Sequence, residues 1–381
     1  MKILIITMNV GRTSPGIVFE KLIMGLSKFQ EVDVLTADYD PSIDLSAVKN
    51  IIEIKRRFRH PRIYKFLISI FNLDPRDWIW AKKAISLLEK KEHAGYDVVV
   101  SFLSFHHYAP LITGILYTKK NHSKLAVHTV DAIPPPLGWS KNDAYFRGVK
   151  KMMADYLLKA DFLFSTNRQM LDYQLSTFKP KNNLITEVIY NPGHDKVRFY
   201  NANNDSDNVF LYIGGIYGLR TPKYILRAFK KLLKDFPNST LEFIGSVIPE
   251  NLFSDFDSEE RCKVIIHPFI RDLSKFYERA TALIDIDAEL PNDVFLSGKI
   301  VTYLTINRII IAETGQNSPS RIIFKQIPSI LQCDHNVEQL TDAMKKAILQ
   351  KGQIDFNDRA DVISLFDLNS VIDKLSNKLA L

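Results

Sequence analysis

The sequence is poor in the features that settle a function at a glance. Two of its 381 residues are cysteine. Cys262 and Cys333 stand in no metal-ligand spacing, which excludes a zinc module and a disulfide scaffold and predicts two buried, apolar thiols. No run approaches the roughly 18 uninterrupted apolar residues that a membrane span needs. No G-x-G-x-x-G follows the first apolar run, so the usual mark of a nicotinamide or flavin enzyme is missing, and there is no P-loop. No short repeat, low-complexity tract or glycine-serine linker occurs. Nucleic acid is not an expected partner, because the chain holds no recognised binding module. Lys2 is followed by only Ile3 to Ile6 before Thr7 and Asn9. That is too short for a signal-peptide core and suits a first buried strand, so a cytoplasmic protein is expected.

What is present is ordinary in amount and uneven in placement. Hydrophobic residues make up 46% and charged residues 24%, as in a globular chain long enough for two domains. The net charge of +7 is concentrated early. Lys55, Arg56, Arg57, Arg59, Arg62 and Lys65 interleave with Phe58, Ile63, Tyr64, Phe66, Leu67 and Phe71. Residues 55–71 therefore suit an anionic membrane surface with apolar depth. The alternative is a solvated helix whose apolar face belongs to the core.

Strand and helix patterns alternate along both halves. Strands are predicted at Lys2 to Ile6, Val32 to Leu35, Asp97 to Phe102, Lys124 to Thr129 and Phe162 to Ser165, with helices at Val18 to Phe29, Tyr145 to Lys159 and Arg168 to Phe178. In the second half the predicted strands are Val209 to Ile213, Thr240 to Ile244, Cys262 to His267, Ala282 to Asp287, Arg308 to Ala312 and Ile327 to Leu331. Helices are predicted at Ser274 to Arg279, Ser297 to Thr305 and Val337 to Leu349. This is an α/β chain of two Rossmann-like, doubly wound parallel-sheet domains facing across a cleft. The expected layout is a first domain at 1–200, a polar linker at 201–208, a second domain at 209–355 and a helical segment at 356–381 that packs back on the first.

Three places carry candidate chemistry. In parallel sheets ligands sit beyond the carboxyl ends of the strands, where Gly214, Gly215 and Gly218 let the backbone approach and Arg220 or Lys223 can meet an anion. A second anion site is suggested where Ser297 or Gly298 opens a helix whose first amides, with Lys299, suit a diphosphate. After the first strand, Asn9 to Gly16 forms a flexible turn opening a helix and favours a phosphate, unless it is only a turn capped by Ser14 or Thr13.

On these residues the chain resembles a GT-B glycosyltransferase of the retaining, family-4-like group over nearly its whole length. Leu211-Tyr212-Ile213-Gly214-Gly215 through Arg220 to Ala228-Phe229 is similar to the family's glycine turn, diphosphate-binding cation and following helix. Arg220 stands where the family usually has lysine. The family's preceding arginine falls on Gly215, with Lys223 as a substitute outside the family's position. Lys299 to Arg308 resembles the segment Ser-Lys-x-x-Glu-Tyr-Leu-x-x-Gly-x-Pro, with Thr302 in place of the ribose-binding glutamate, Asn307 in place of the glycine and Ile309 in place of the proline. Leu125 to Thr129 is similar to the strand ending in a site histidine, and Ile189 to Gly193 to the inter-domain turn.

The resemblance implies retaining transfer of a sugar from a UDP- or GDP-linked donor to an acceptor hydroxyl, with no obligatory metal and no separate cofactor. It assigns the diphosphate to Gly16, Gly215, Arg220, Lys223 and Lys299, and the nucleotide and ribose to Ser297, Gly298 and Thr302. His128 becomes the catalytic-site histidine, with Asp131 to orient it or to contact the acceptor. His106 and His107 are acceptor-side candidates. Asp285-Ile286-Asp287 reads as a site-edge or structural feature. The expected function is a glycosyltransferase of cell-surface polysaccharide synthesis acting on a lipid-linked or saccharide acceptor, cytoplasmic and peripheral at the inner membrane face. Thr302 and Gly215 leave open a catalytically idle nucleotide- or saccharide-binding protein. A nucleotide-sugar epimerase is the remaining alternative, though no paired acid and base stand out.

Overall fold

The computed structural model describes residues 1–56, 61–90, 95–141, 143–193, 197–201, 207–353 and 355–381. Arg57, Phe58 and Arg59 of the basic segment, and most of the linker read at 201–208, lie outside the described residues. The chain divides into two compact units, Met1–Pro192 with Leu368–Leu381, and Gly193–Asp367.

The first unit contains, in chain order, β1 (Lys2–Thr7), α1 (Ser14–Ser27), β2 (Glu31–Thr36), β3 (Asn50–Glu53), α2 (Pro61–Phe71), α3 (Pro75–Lys90), β4 (Val98–Leu103), α4 (Ala109–Asn121), β5 (Lys124–Thr129), α5 (Ala144–Leu157), β6 (Phe162–Ser165), α6 (Arg168–Leu175) and β7 (Ile185–Val188). The seven strands are all parallel, in the order β3-β2-β1-β4-β5-β6-β7. Strand order reverses direction between β1 and β4, so the loops after these two strands open the crevice where such sheets bind ligands. Period-two alternation sends Ile3 and Ile5 to one face and Leu4 and Ile6 to the other, and each face is covered by its own buried cluster.

The second unit contains β8 (Asn208–Ile213), α7 (Lys223–Leu232), β9 (Ser239–Ile244), α8 (Ser258–Cys262), β10 (Val264–His267), α9 (Ser274–Arg279), β11 (Ala282–Ile286), α10 (Gly298–Tyr303), β12 (Ile309–Glu313), α11 (Pro319–Ile323), β13 (Ile330–Cys333), α12 (Val337–Leu349) and α13 (Ala360–Phe366). Its six parallel strands run β10-β9-β8-β11-β12-β13, with the reversal between β8 and β11. α7 forms because Ile225, Leu226, Phe229 and Leu232 recur on one face, and that face is buried on the sheet. The last helix, α14 (Leu368–Leu379), belongs to the first unit. There Val371, Ile372, Leu375 and Leu379 join the core, and Ile372 lies where a side chain on Gly25 of α1 would stand.

The expected boundaries differ from these units for a local reason. Gly193, Arg198 and Tyr200 precede the polar stretch but are fastened to the second unit: Gly193 N donates to Phe366 O, Arg198 N to Thr305 O and Tyr200 N to Asn307 Oδ1. The segment 356–381 is split, its first part remaining in the second unit. Arg359, fully buried there, donates to the carbonyls of Ile306, Arg308 and Ser329. Cys333 is buried as expected, whereas Cys262 ends α8 at the surface. Among the described residues no helix is long and apolar enough to cross a membrane.

Candidate functional site

The crevice of the second unit begins at the carboxyl end of β8. Gly214 adopts φ +102°, a conformation that residues with a Cβ seldom take, and its carbonyl accepts from Ser246 Oγ at 2.6 Å. The turn then returns to Arg220, whose guanidinium lies 5.4 Å from the centre of the Tyr217 ring. Across the reversal, Ser297 caps α10: its hydroxyl accepts from Lys299 N at 3.3 Å and donates to Asp285 Oδ1 at 2.6 Å. Lys299 thereby points back over the glycine turn. Its Nζ is 5.3 Å from the ring centre of Tyr212 and 6.0 Å from that of Tyr217. Arg220 and Lys299 therefore both approach one tyrosine ring, although 78 residues of sequence separate them.

Beneath the two cations lie Asp285 and Asp287, both buried, at the end of β11. Neither oxygen of Asp287 makes a hydrogen bond of normal geometry, the Ser320 hydroxyl being its near partner, nor does Oδ2 of Asp285. Burial, and then the Asp285 charge, push the Asp287 carboxyl well above the usual carboxylate range. Lys299 is pulled down to about 8, chiefly by burial and next by the Arg220 charge. A basic group whose charge is disfavoured by burial and a like neighbour gains from an anion beside it. The strand reversal thus gathers two cations, Arg220 and Lys299, with two buried carboxylates, Asp285 and Asp287.

The structure brings Gly215, Arg220, Ser297, Gly298 and Lys299 to this one crevice. Lys223 stands apart in the first turn of α7, with its ammonium 5.1 Å from the ring centre of Tyr224. Thr302 is one turn along α10, and its hydroxyl donates back to Gly298 O at 3.1 Å. The Ser297 hydroxyl proton is likewise committed to Asp285. The sequence reading named Gly214 with Gly215 and Gly218 for the close approach of the backbone, and missed Tyr217 as the ring that both cations approach.

The first unit carries the remaining candidates. Gly16 lies inside α1, and its amide donates to Thr13 Oγ1 at 3.1 Å; the amides of Arg12 and Thr13 donate to Asn9 Oδ1. The turn after β1 so satisfies donors that the sequence reading left free for a phosphate. His128 is completely buried in β5, between Phe102 and Phe164 in register, and its ring nitrogens make no hydrogen bond of normal geometry. Burial pulls it down to about 4. It reaches no surface, and Asp131 does not orient it: Asp131 Oδ2 accepts from Phe105 N at 2.9 Å.

His106 and His107 sit at the strand reversal instead. His106 has φ +67°, and its Nδ1 is 2.8 Å from Tyr145 Oη. His107 Nδ1 accepts from Arg56 Nη1 at 2.9 Å, which leaves its proton on Nε2. Both imidazoles are lowered to about 4, first by burial and then by a neighbouring cation, Lys65 for His106 and Arg56 for His107. Arg56 is anchored on buried Asp77 at 2.5 Å, and Arg76 on buried Asp74 at 2.5 Å. The neighbouring α2 is apolar on two sides: Tyr64 and Ile68 are buried, while Ile63, Phe66, Ile70 and Phe71 are exposed beside Lys65.

Two doubly wound units of parallel strands, each with its crevice at a strand reversal, define the class: this is the GT-B fold. The chain resembles solved structures of that fold over its full length. HepE of Anabaena, in complex with UDP and glucose, matches 100% of this chain and 99% of its own with a TM-score of 0.68 and 12% identity. A glycosyltransferase from Rickettsia africae matches 99% of this chain and 97% of its own, with a TM-score of 0.65 and 14% identity. WaaG, a glycosyltransferase involved in lipopolysaccharide biosynthesis, matches 99% of each chain, with a TM-score of 0.64 and 11% identity. No protein-family model matches the sequence. No curated protein is similar to it in sequence.

Proposed function

We propose that the protein is a glycosyltransferase that moves a sugar from a UDP- or GDP-linked donor to a saccharide or lipid-linked acceptor in cell-surface polysaccharide synthesis, with retention of configuration and no obligatory metal. The observation that carries the reading is the meeting of Arg220 and Lys299 around Tyr217 at the strand reversal of a GT-B second unit. A departing nucleoside diphosphate develops charge that two fixed cations can stabilise. HepE, of the same fold, is described in complex with UDP, with UDP and glucose, and with UDP-glucose. His106 and His107 are the residues proposed to meet the acceptor. The proposed location is the cytoplasmic membrane face, where α2 would lay Ile63, Phe66 and Ile70 into the bilayer and Lys65 against anionic headgroups.

The test is a panel of UDP-, GDP- and dTDP-sugars offered with extracted lipid-linked acceptors. Transfer or slow hydrolysis of one donor supports the reading, and no turnover of any donor contradicts it. Sedimentation with anionic vesicles tests the surface separately, with loss of binding expected for Phe66→Ser. A second reading, a GT-B protein that binds nucleotides without turnover, is favoured by Gly215 and Thr302, where the family's second cation and ribose carboxylate are missing. Calorimetric binding of UDP or GDP without turnover of any donor would select it.

A further inference from the structure

Behind the anion crevice lies a histidine that neither the sequence reading nor the fold assigns a part. His335 follows β13 and is nearly buried, its side chain 9% exposed. Its Nδ1 is 2.7 Å from Glu313 Oε1, at the end of β12, and its Nε2 is 3.2 Å from the carbonyl oxygen of Ala288. A carbonyl can only accept, so Nε2 carries a hydrogen. A carboxylate also only accepts, so Nδ1 carries the second. A neutral imidazole has one N–H and keeps both contacts only where Glu313 carries the proton and donates to Nδ1; burial raises Glu313, and the contact and charge of His335 oppose that rise. Burial alone would lower His335, but the contact with Glu313 and its charge, with the Ala288 carbonyl, outweigh it, and His335 is raised above its ordinary value.

What the ring holds is the route between the two halves of the crevice. Ala288 follows Asp287 directly, and the loop it begins ends at Ser297 and Lys299. The same loop is fixed at two further points: a side chain on Gly315 would collide with the Leu290 carbonyl, and Glu289 accepts from Tyr224 Oη at 2.8 Å. Tyr224 lies in the first turn of α7, four residues after Arg220, and its ring lies 5.9 Å from that of His335. Glu313, Glu289 and the Tyr224 hydroxyl are the titratable groups facing His335 from β12, the β11–α10 loop and α7. Asp334 precedes it and is paired with Arg321 at 2.7 Å.

We infer that His335 is a doubly donating imidazolium that positions the Ala288–Lys299 loop, and through Tyr224 the Arg220 turn, so that both cations meet one anionic ligand. The inference rests on the diphosphate reading of the crevice. His335 touches no ligand; it is a positioning residue.

The experiment uses the full chain with nitrogen-15 histidine rings, the His335 signals being identified by their loss in His335→Gln. Both ring nitrogens protonated at pH 7 is the expected result, and one unprotonated nitrogen overturns it. Calorimetry with UDP and GDP at pH 7 gives the second readout, at a temperature where every variant is shown to be folded. His335→Gln and Glu313→Gln are expected to weaken binding about tenfold or more, as small displacements of binding groups do. His267→Gln alters another buried carboxylate–histidine pair of the same unit, with Glu242, and is expected to bind as wild type. If His335→Gln binds as wild type, or His267→Gln weakens binding equally, the positioning role is overturned. If the wild type binds neither nucleotide, the crevice reading fails, while the ring signals still decide the charge of His335.

Discussion

The side chain of Lys299 passes directly over Gly214: its Cε lies 2.9 Å from the point a Cβ on Gly214 would occupy. The glycine is required twice, for its φ of +102° and for the room it leaves the lysine. Gly214→Ala is therefore expected to displace Lys299 and to strain the turn. Thermal unfolding should show a loss of about 1–3 kcal/mol, the usual cost of a disfavoured backbone conformation, and calorimetry should show weaker nucleoside diphosphate binding. An alanine variant with unchanged binding would remove Lys299 from the site.

Lys299 also sets a pH dependence. With its ammonium lowered to about 8, the charge is present below that value and lost above it, so affinity for UDP or GDP should fall as pH rises from 7 to 9. Lys299→Arg keeps its charge throughout and should flatten the fall. Stability runs in the opposite sense. Between about 8 and the ordinary lysine value the unfolded chain binds more protons than the folded one, so the contribution of Lys299 to stability rises with pH. Parallel titrations of binding and of melting temperature check both signs.

Asp287 predicts a stabilising substitution. Its folded-state value is raised, so its contribution to stability is retained at low pH and lost as pH climbs through that raised value. Asp287→Asn removes a buried carboxylate with no hydrogen bond of normal geometry and should melt higher than wild type at pH 9, the difference shrinking toward pH 4. Anion affinity at pH 9 should increase as well. A lower melting temperature at pH 9 would mean that the carboxylate is held by Arg220 strongly enough to offset its burial.

The first unit should be sensitive to acid. His106, His107 and His128 are each lowered to about 4, so the unfolded state takes up protons first as pH falls below the ordinary histidine value. Each histidine can remove up to about 1.4 kcal/mol per pH unit across that window. Asp77, raised to about 6, and Asp131 and Glu20, both raised by burial, work the other way and offset part of this loss. His128→Phe should lessen the acid loss without touching nucleotide binding. Urea unfolding at pH 7 and pH 5, followed by the tryptophans, which all lie in the first unit, measures the difference.

The parts of the fold with a plain period were legible. β5, β6, α9 and α12 have the ends their apolar patterns predict. α4 was not foreseen, because Ala109 to Gly114 and Tyr117 are buried nearly all round and leave little polar face to mark a helix. β13 was placed three residues early, across Pro328, which has no N–H for a ladder; the strand begins at Ile330. In the crevice, glycine and cation types at strand ends were enough to single out Gly215, Arg220 and Lys299. Their setting was not legible. Nothing in a strand reading Ala-Leu-Ile-Asp-Ile says that the aspartate accepts from Ser297, and nothing in Cys-Asp-His says that the histidine reaches Glu313 and Ala288. His128 shows the converse: a strand-end histidine is visible in sequence, but its burial depends on which strands flank β5.

The central claim is that Arg220 and Lys299 together hold a nucleoside diphosphate. Its most direct test is calorimetry of the full chain with UDP and GDP at pH 7, beside Arg220→Met and Lys299→Met, with folding of each variant checked by circular dichroism. Binding of one nucleotide to the wild type, reduced at least about a hundredfold by either substitution as expected when a charge partner of a buried anion is removed, is the predicted result. Binding that survives both substitutions, or a wild type that binds neither nucleotide, would contradict it.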